Sequence, residues 1–272
     1  MFTILNLTPD SFADGGRLPT PAHARDAALR ARDEGADGLD LGAESTRPGA
    51  ARVGTDEQRE RLLPAIEAIR GAGVDLPITA DTTLSSVAKA ALDAGADAIN
   101  DVSAGTEDDA MLALAAERDC GIVLMHRRSA PTQDQYSDAY QADPDYPNGV
   151  VFDVAAFLAF RLNAALDAGV ADDGVLLDPG LGFGKSVGQN LELIRSTPAL
   201  LALGRPVMSA LSRKSFVGRV GLGRDSEPGE RLPATLALST LHLAGGARVF
   251  RVHDTAEHRQ SLDAAWELIS GG

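Results

Sequence analysis

The feature that most constrains the fold is a regular alternation of short apolar runs with longer helical segments. Eight apolar runs recur along the chain, at 2–7, 38–42, 76–80, 97–102, 121–125, 174–178, 205–211 and 247–252. Each precedes a segment with apolar residues at i, i+3 and i+4 spacing, at 22–34, 56–70, 83–94, 108–118, 151–168, 187–202, 230–244 and 255–269. Eight strand and helix units in strict alternation predict an α/β fold, a single (β/α)8 TIM barrel spanning residues 1–272.

The junctions from helix back to strand support this repeat. EGADGLDL at 34–41, AGADAIND at 94–101 and AGGARVFRV at 244–252 each place Gly shortly before an apolar strand. Gly ends a helix in the left-handed conformation without a steric penalty. The longest irregular stretch, residues 126–150, is polar and contains prolines, so it is predicted to be a surface loop after the fifth strand.

Composition and charge narrow the function classes. The chain has 25 Lys and Arg against 39 Asp and Glu, a net charge of −14, which argues against nucleic-acid and anionic-membrane partners. The single cysteine, Cys120, cannot form an intramolecular disulfide, which fits a reducing compartment. No apolar stretch approaches the length of a membrane span. We therefore expect a cytoplasmic protein whose partners are small molecules.

Polar side chains follow every predicted strand. In a (β/α)8 barrel the C-terminal strand ends and the loops after them build the active site. These positions hold Asn6, Thr8, Glu44, Ser45, Thr46, Arg47, Asp81, Asn100, Asp101, His126, Asp178, Ser212, Arg213, Lys214, Arg251 and His253. A single Asp or Asn at a strand end usually caps a helix or a turn. Eight convergent strand ends favour a functional site instead.

The residue types indicate two kinds of ligand contact. Three strand ends carry acceptors that suit the N–H groups of a flat nitrogen heterocycle, namely Asp81, Asn100 and Asp178. Others carry the cations that an acidic protein needs for an anionic substrate, namely Arg47, Lys214, Arg251 and His253. The pattern therefore predicts a ring pocket beside a site for a phosphate-like anion.

Three glycine-containing loops are candidates for substrate contact. The loops at 7–16 and 42–50 are long enough to close over a reactive intermediate and exclude water, although ordinary solvated loops are the alternative. The segment DPGLGFGKS at 178–186 approaches a P-loop, but Pro179 stands where G-x-x-x-x-G-K-[ST] requires its first Gly. It also follows the sixth strand of a barrel, so we interpret Asp178 as its functional residue and Lys185 as peripheral.

Eight motifs in order across nearly the whole chain are similar to those of the dihydropteroate synthase family. They are ILNLTPDSFADGG at 4–16, DLGAESTRPGA at 40–50, DT at 81–82, IND at 99–101, LMH at 124–126, DPGLGFGK at 178–185, SRKSFVG at 212–218 and RVHD at 251–254. Members condense 6-hydroxymethyl-7,8-dihydropterin diphosphate with 4-aminobenzoate and release pyrophosphate, on the way to folate. The resemblance implies a transferase that uses Mg²⁺, is a sulfonamide target and forms a homodimer.

The resemblance also implies roles for individual residues, carried over motif by motif. The pterin diphosphate would contact Thr46, Asp81, Asn100, Asp178, Lys214, Arg251, Val252 and His253. Four of these would be catalytic, namely Asp178, Lys214, Arg251 and His253. The 4-aminobenzoate pocket would be shaped by Phe12, Thr46, Arg47, Pro48, Phe183 and Ser215. Asn6 would help to place Mg²⁺.

Three features depart from the family pattern. Ala43 replaces the second Gly of D-x-G-G-E-S-T-R-P and is expected to restrict φ and stiffen the loop. Arg127 and Arg128 follow LMH in place of a Gly-containing turn, and we predict that they are solvated rather than part of the anion site. The family's usual residues before the first strand are missing, so the bottom of the barrel is expected to be less stable.

Two other functions stay open at this point. A methyltetrahydrofolate:corrinoid methyltransferase-like domain also binds a pterin on a barrel, but it needs neither a diphosphate site nor the cations of SRK and RVH. A catalytically silent pterin-binding paralogue would be expected to lose catalytic loop residues first, and Thr46, Arg47 and Lys214 are retained here. One sequence does not decide whether an active enzyme would be sensitive to sulfonamides.

Overall fold

The structure, a computed structural model, describes residues 1–8 and 20–271. Within these residues, eight parallel strands run from β1 to β8: Phe2–Asn6, Gly38–Gly42, Ile78–Asp81, Ala98–Asp101, Gly121–Met125, Val175–Asp178, Met208–Ser209 and Val249–Val252. They pair in the order β6-β5-β4-β3-β2-β1-β8-β7. A parallel bridge between Leu177 and Val207 joins β6 to the segment that leads into β7. The ring of strands is closed, which confirms the predicted (β/α)8 barrel.

Helices connect the strands on the outside of the barrel. In chain order, α1 to α10 are Pro21–Asp33, Thr55–Gly71, Ser85–Asp93, Met111–Glu117, Val150–Asp167, Val187–Arg195, Thr197–Leu201, Ser215–Leu222, Leu232–Ala244 and Thr255–Ser270. The single helix predicted over 187–202 is divided at Ser196, because Pro198 begins a new first turn in α7. Helix α8 was not predicted. No helix in the described part of the chain is long and apolar enough to cross a bilayer.

Alternation along the strands separates the core from the site. Leu39 and Leu41 of β2 point outward and pack with Ile66 and Ile69 of α2. Asp40 lies between them and therefore points into the barrel. The same period of two places Asp81 of β3, Asn100 of β4, Asp178 of β6 and Arg251 of β8 inside, where they converge on the mouth.

The N-terminal end of the barrel is closed by the first residues of the chain. A Cβ atom at Gly38 would lie 2.4 Å from the ring of Phe2, so the glycine leaves room for this ring. The N-terminal amine of Met1 forms an ion pair of 2.7 Å with Asp37. Contacts of Phe2 and Met1 thus close the end at which the sequence predicts low stability.

Candidate active site

A buried network of ion pairs and hydrogen bonds crosses the barrel from β8 to β4. Arg251 Nε donates to Asp40 Oδ2 at 2.6 Å, and Arg251 Nη2 donates to Asp81 Oδ2 at 2.8 Å. The other oxygen of Asp40 accepts from Thr79 Oγ1 at 2.6 Å and from Asn100 Nδ2 at 3.1 Å. Asp40, Asp81 and Asn100 are each at most 5% exposed. Arg251, which was predicted for the anion site, therefore contacts Asp81 directly and Asn100 through Asp40, and these are two residues predicted for the ring pocket.

This network changes the interpretation of Arg251. The sequence predicts a cation free to bind an anion, whereas the structure pairs Arg251 with two carboxylates. Sequence reasoning missed Asp40. Its position between Leu39 and Leu41 in β2 could have indicated it, because alternate residues of a strand face the inside of the barrel. Burial raises the pKa of Asp81, and the charge of Arg251 opposes that rise. An incoming anion at this point meets a guanidinium that already has partners.

Asp178 and Lys214 face each other on the opposite side of the mouth. Asp178 ends β6, is 3% exposed, and accepts from the backbone N–H of Gly180 at 2.7 Å. Lys214 lies one residue before α8, donates to the carbonyl oxygen of Leu181, and has its Nζ 4.1 Å from the ring centroid of Phe183. Burial raises the pKa of Asp178 and lowers that of Lys214 to about 7, and in both groups the opposite charge of the other counteracts burial.

The β6–α6 loop, residues 179–186, is held from both sides. Gly180, Gly182 and Gly184 have φ angles of +66°, +84° and +61°, a left-handed conformation that favours glycine. The Gly182 amide donates to Asn190 Oδ1 at 2.7 Å. The Gly184 amide donates to Asp134 Oδ2 at 3.0 Å. The loop is thus fastened to α6 and to the β5–α5 segment.

Lys185 lies inside this loop, and its predicted peripheral position is wrong. The side chain has no exposed surface, and its Nζ donates to the carbonyl oxygens of Gly180 and Phe183 at 2.9 and 2.8 Å. His126 Nδ1 lies 3.0 Å from the same nitrogen. Burial lowers the pKa of Lys185 to about 7 and that of His126 to about 2.

His253 is a neutral imidazole rather than the predicted cation. Burial, followed by the charges of Arg251 and Arg213, lowers the pKa of His253 to about 3. Its Nδ1 lies 3.0 Å from Ser212 Oγ. Arg213 is engaged as well, since its Nε donates to Asp254 Oδ2 at 2.9 Å. His253 is therefore suited to hydrogen bonding at neutral pH and supplies no positive charge.

The β2–α2 loop, residues 43–54, is tied at its ends and also at Gly49, whose amide donates to the Pro131 carbonyl oxygen at 2.8 Å. Glu44 accepts from the Val53 amide at 2.8 Å, and Arg61 Nη1 donates to the Ala43 carbonyl at 2.8 Å. Between these ties Thr46 and Pro48 are half-buried, and Arg47 is exposed. Ala43 is fully buried and is absent from the described non-glycine residues with positive φ. The chain therefore does not need a glycine at this position, and the stiffening of the loop by Ala43 stays a prediction.

The two arginines after β5 behave differently. Arg127 is only 7% exposed and pairs with Glu107, so the prediction that it is solvated is wrong. Arg128 is exposed, with its guanidinium 5.1 Å from the ring centroid of Tyr146. Neither arginine belongs to the network that contains Arg251.

The remaining predicted residues lie around the same mouth or outside the description. Phe183 packs with Val102 and Met125, and Ser215 is the buried first residue of α8. Val252 is 1% exposed, and its side chain packs outward with Phe250. Only the main-chain atoms of Val252 are therefore available to a ligand. Phe12 lies outside the described residues.

The donor set near Asn6 fits a hard divalent cation. A Cβ atom at Gly42 would lie 3.5 Å from Asp81 Oδ2 and 3.7 Å from Asn6 Oδ1, so both oxygens border the same small space. Among residues 1–8 and 20–271, no group of three or more His, Cys, Asp or Glu side chains is positioned to hold a metal. Mg²⁺ commonly uses one or two protein oxygens together with substrate phosphates and water. Asp81 Oδ2 already accepts from Arg251 Nη2 at 2.8 Å, so Asn6 Oδ1 is the oxygen of this pair that suits such a site.

Comparisons with known proteins agree with this geometry. A family model described as pterin binding enzyme matches residues 2–253. A dihydropteroate synthase of Streptococcus pyogenes serotype M6 is 44% identical over 266 residues, which cover 98% of this chain and 94% of the relative. A Xanthomonas albilineans dihydropteroate synthase structure with 4-aminobenzoic acid has a TM-score of 0.88 at 38% identity, covering 100% of this chain and 93% of that one. Its complex with 7,8-dihydropteroate has a TM-score of 0.85 at 36% identity, with the same coverage.

Proposed function

Because this chain belongs to the pterin binding enzyme family, we propose how its active site carries out the dihydropteroate synthase reaction. The protein is a transferase of folate biosynthesis that joins 6-hydroxymethyl-7,8-dihydropterin diphosphate to 4-aminobenzoate and releases pyrophosphate. The observation that carries the mechanism is the placement of buried acceptors, Asp81, Asn100 and Asp178, around a single mouth with Arg251 and Lys214. The acceptors suit a heterocycle, Lys214 beside Asp178 adds a donor to the ring, and Arg251 suits the diphosphate.

The pterin binds between the two carboxylates of the mouth. Asp178 accepts from ring N–H groups, and its own contact with the Gly180 amide fixes its orientation. Asp81 and Asn100 receive the opposite edge of the ring, because both lie in the network held by Asp40. Acceptors that are already oriented and buried lose little freedom when the substrate arrives. Lys214 stands beside Asp178 and hydrogen-bonds to the ring.

The diphosphate lies toward β8 and the β2–α2 loop. Arg251 turns part of its guanidinium toward the phosphate oxygens, and Asp40 retains the rest of it. His253 donates one N–H as a neutral imidazole, and the main chain at Val252 and the hydroxyl of Thr46 lie on the same side. Charge-assisted hydrogen bonds of this kind are about twice as strong as neutral ones.

The chemistry breaks one C–O bond and forms one C–N bond at the same methylene carbon. The electron pair of the C–O bond leaves with pyrophosphate, and the electron-rich pterin delocalises the positive charge left on carbon. The amine of 4-aminobenzoate then attacks this carbon and loses a proton. Asp178 stabilises the developing ring charge, and Arg251 stabilises the departing diphosphate, because fixed charges act strongly in a site that excludes water.

Asn6 is the residue that would help to hold Mg²⁺, together with substrate phosphates and water. When bound, the ion would supply positive charge for the leaving diphosphate. The amide oxygen of Asn6 adds no charge of its own, so the positive charge remains available for the phosphates. Removal of Mg²⁺ with a chelator is expected to weaken binding of the diphosphate more than binding of the pterin alone.

The second substrate binds where the β2–α2 and β6–α6 loops approach the mouth. Phe183 supplies a ring face, and Ser215 supplies the start of α8. Arg47 is the exposed cation nearest in sequence to Thr46 and Pro48, and it pairs with the carboxylate of 4-aminobenzoate. Sulfonamides, which mimic 4-aminobenzoate, would compete for this pocket. Phe12 would join it from the undescribed segment.

The outer helices support a homodimer. Apolar side chains that are at least 41% exposed lie on α8, α9 and α10, namely Val220, Leu222, Leu241, Trp266, Leu268 and Ile269. Contiguous exposed apolar surface of this kind marks protein association sites. Helix α8 begins at the mouth with Ser215, whereas Val220 and Leu222 lie toward its other end, so two active sites would remain accessible. A cytoplasmic location is consistent with a single unpaired cysteine.

Pyrophosphate release tests the proposed function directly. Purified protein is incubated with pterin diphosphate, 4-aminobenzoate and Mg²⁺, and each component is omitted in turn. We expect release that depends on all three, together with formation of 7,8-dihydropteroate. Pterin binding without pyrophosphate release would support the silent paralogue and contradict the proposal.

A further inference from the structure

Lys185 stands out because lysine is scarce in this chain and almost never buried in proteins. Of the 25 Lys and Arg residues, three are lysines: Lys89, Lys185 and Lys214. Lys89 is a solvated residue of α3, and Lys214 belongs to the active site. Lys185 has no exposed surface and, among the described residues, forms no ion pair within 4.0 Å. A chain that otherwise uses arginine retains a compact amine at this position.

The surroundings of Lys185 satisfy an ammonium group without a countercharge in contact. Its Nζ meets the Phe183 carbonyl at 2.8 Å, the Gly180 carbonyl at 2.9 Å and His126 Nδ1 at 3.0 Å, and the His126 carbonyl oxygen lies farther away at 3.4 Å. An ammonium group has three donors and no acceptor, so the three shorter contacts match its capacity. His126 is neutral because burial lowers its pKa, which assigns the ring proton to Nε2 and leaves Nδ1 as an acceptor.

The two carbonyls that accept from Lys185 belong to a loop whose backbone conformation depends on glycine and on a donor between the carbonyls. Gly180 has a φ of +66°, and a Cβ atom there would lie 1.8 Å from the carbonyl oxygen of His126. The carbonyl dipoles of Gly180 and Phe183 point at one spot, where they would repel each other without a donor between them. The amine at that spot replaces this repulsion with two hydrogen bonds, one to each carbonyl oxygen.

Both carbonyls are next to groups that contact substrate. The Gly180 amide donates to Asp178 at 2.7 Å, so a shift of Gly180 moves the carboxylate that faces the pterin. The Phe183 ring lies 4.1 Å from Lys214 Nζ, so a shift of Phe183 moves a wall of the 4-aminobenzoate pocket. One side chain therefore sets the position of groups that serve both substrates.

We propose that Lys185 is a positioning residue for the reaction: its hydrogen bonds to Gly180 and Phe183 hold the Asp178 carboxylate and the Phe183 ring in register for pterin and 4-aminobenzoate. The proposal rests on the proposed function of the same site. Lys185 itself touches neither substrate and acts through the loop that encloses it. His126 completes the arrangement as the third acceptor.

Lys185→Met tests the proposal, because methionine is of similar length and has no donor. We expect the Kd for pterin diphosphate, measured by calorimetry, and the KM for 4-aminobenzoate each to rise at least about tenfold, a change equivalent to 1.4 kcal/mol. Lys89→Met is the matched control, since it makes the same substitution on an exposed face of α3. It should leave both constants within twofold of the wild type.

A second variant separates positioning from general destabilisation. Lys185→Gln keeps two N–H donors for the two carbonyls, so both constants should lie between those of the wild type and Lys185→Met. It also preserves the test if Lys185→Met does not fold. Ile69→Val, a buried change on α2 remote from the mouth, should lower Tm without changing either constant.

The outcomes distinguish this inference from the proposed function. Lys185→Met or Lys185→Gln with wild-type Kd and KM, and only a lower Tm, would overturn the positioning role and leave the proposed function intact. A wild-type protein that binds pterin but releases no pyrophosphate would overturn the proposed function, while the pterin Kd of the variants would still decide the role of Lys185. Absence of pterin binding by the wild type would overturn both.

Discussion

The β6–α6 loop and the β2–α2 loop both border the active site, and they are built in opposite ways. The first encloses a fully buried amine, Lys185, and its glycine amides are bound by side chains of other elements. The second is tied at Glu44, Ala43 and Gly49, and between these contacts it carries an exposed cation, Arg47. A loop built around a buried amine is formed before substrate arrives. A loop whose charged side chain is exposed between its contacts is free to adjust there to a ligand.

This difference matches the two demands of the reaction. The pterin needs acceptors at fixed positions, since misplaced groups forfeit much of the benefit of orientation. The second substrate must enter, be covered and leave, which requires a loop that opens and closes. The comparison therefore predicts that changes in the β6–α6 loop affect folding and both substrates. Changes at Arg47, in the middle of the β2–α2 loop, should affect 4-aminobenzoate alone.

The largest effect is expected from Asp178→Asn, at the start of the β6–α6 loop. The amide keeps the shape of the carboxylate and can still accept from Gly180, so circular dichroism should be unchanged. Loss of the charge that stabilises the pterin cation should lower kcat by about 100-fold or more. Asp173→Asn, an exposed change just before β6, is the control and should retain full turnover. Wild-type turnover in Asp178→Asn would exclude this role.

A matched pair of glycine substitutions compares the stability of the two loops. Gly180→Ala would place a Cβ atom 1.8 Å from the His126 carbonyl oxygen, whereas Gly49→Ala has no atom within 4 Å, and both positions have positive φ. Gly49→Ala should cost about 1 kcal/mol, the usual penalty for alanine in a left-handed conformation. Gly180→Ala should cost at least about 3 kcal/mol, because the backbone itself must move. Denaturant unfolding measures both, and equal losses would contradict the comparison.

Much of the fold could be predicted from the sequence, because apolar periodicity is a property of the residues themselves. The run at 121–125 has the bounds of β5, and the closed ring follows from eight repeats. Helix α8 was missed because SFVGRVGL contains two glycines, which lower helix propensity, and its formation depends on packing against α9. Tertiary contacts decide such a segment.

The site was predicted only in part, because burial and pairing are not visible in residue types. Lysine is normally solvated, so the sequence did not predict that Lys185 is buried against the carbonyl oxygens of Gly180 and Phe183. The scarcity of lysine in the chain was the only indication. Arg251 was interpreted as a free cation because its partner Asp40 is separated from it by 211 positions in the sequence, and no local pattern indicates so distant a contact. The neutrality of His253 likewise results from burial in the folded barrel.

A smaller effect is expected from Arg47→Ala, in the β2–α2 loop. The exposed guanidinium contributes little to folding, so Tm should stay within about a degree of the wild type. Loss of its pairing with the substrate carboxylate should raise the KM for 4-aminobenzoate by about tenfold and leave the Kd for the pterin unchanged. Arg195→Ala, at the far end of α6, serves as the control. A weaker pterin Kd in Arg47→Ala would contradict the division between the loops.

The smallest expected effect is the uptake of a proton on pterin diphosphate binding. Burial lowers the pKa of Lys214 to about 7, so at pH 8 the amine of the free protein is mostly neutral. The negative diphosphate favours the ammonium form and raises this pKa. Binding should therefore take up close to one proton, and affinity should fall as pH rises above 7.

Calorimetry at pH 8 in two buffers of different ionisation enthalpy measures this uptake. The binding enthalpy should depend on the buffer in the wild type and lose most of that dependence in Lys214→Met. Buffer-independent enthalpy in the wild type would mean that Lys214 is already protonated in the free protein.

The most direct test of the account is amide hydrogen exchange at the two loops, with and without substrates. The amides of Gly180, Gly182 and Gly184 each donate to a side-chain oxygen and should be protected in the free protein. Residues 45–48 should exchange rapidly in the free protein and become protected once pterin and 4-aminobenzoate are both bound. Equal exchange at the two loops in the free protein would contradict the account.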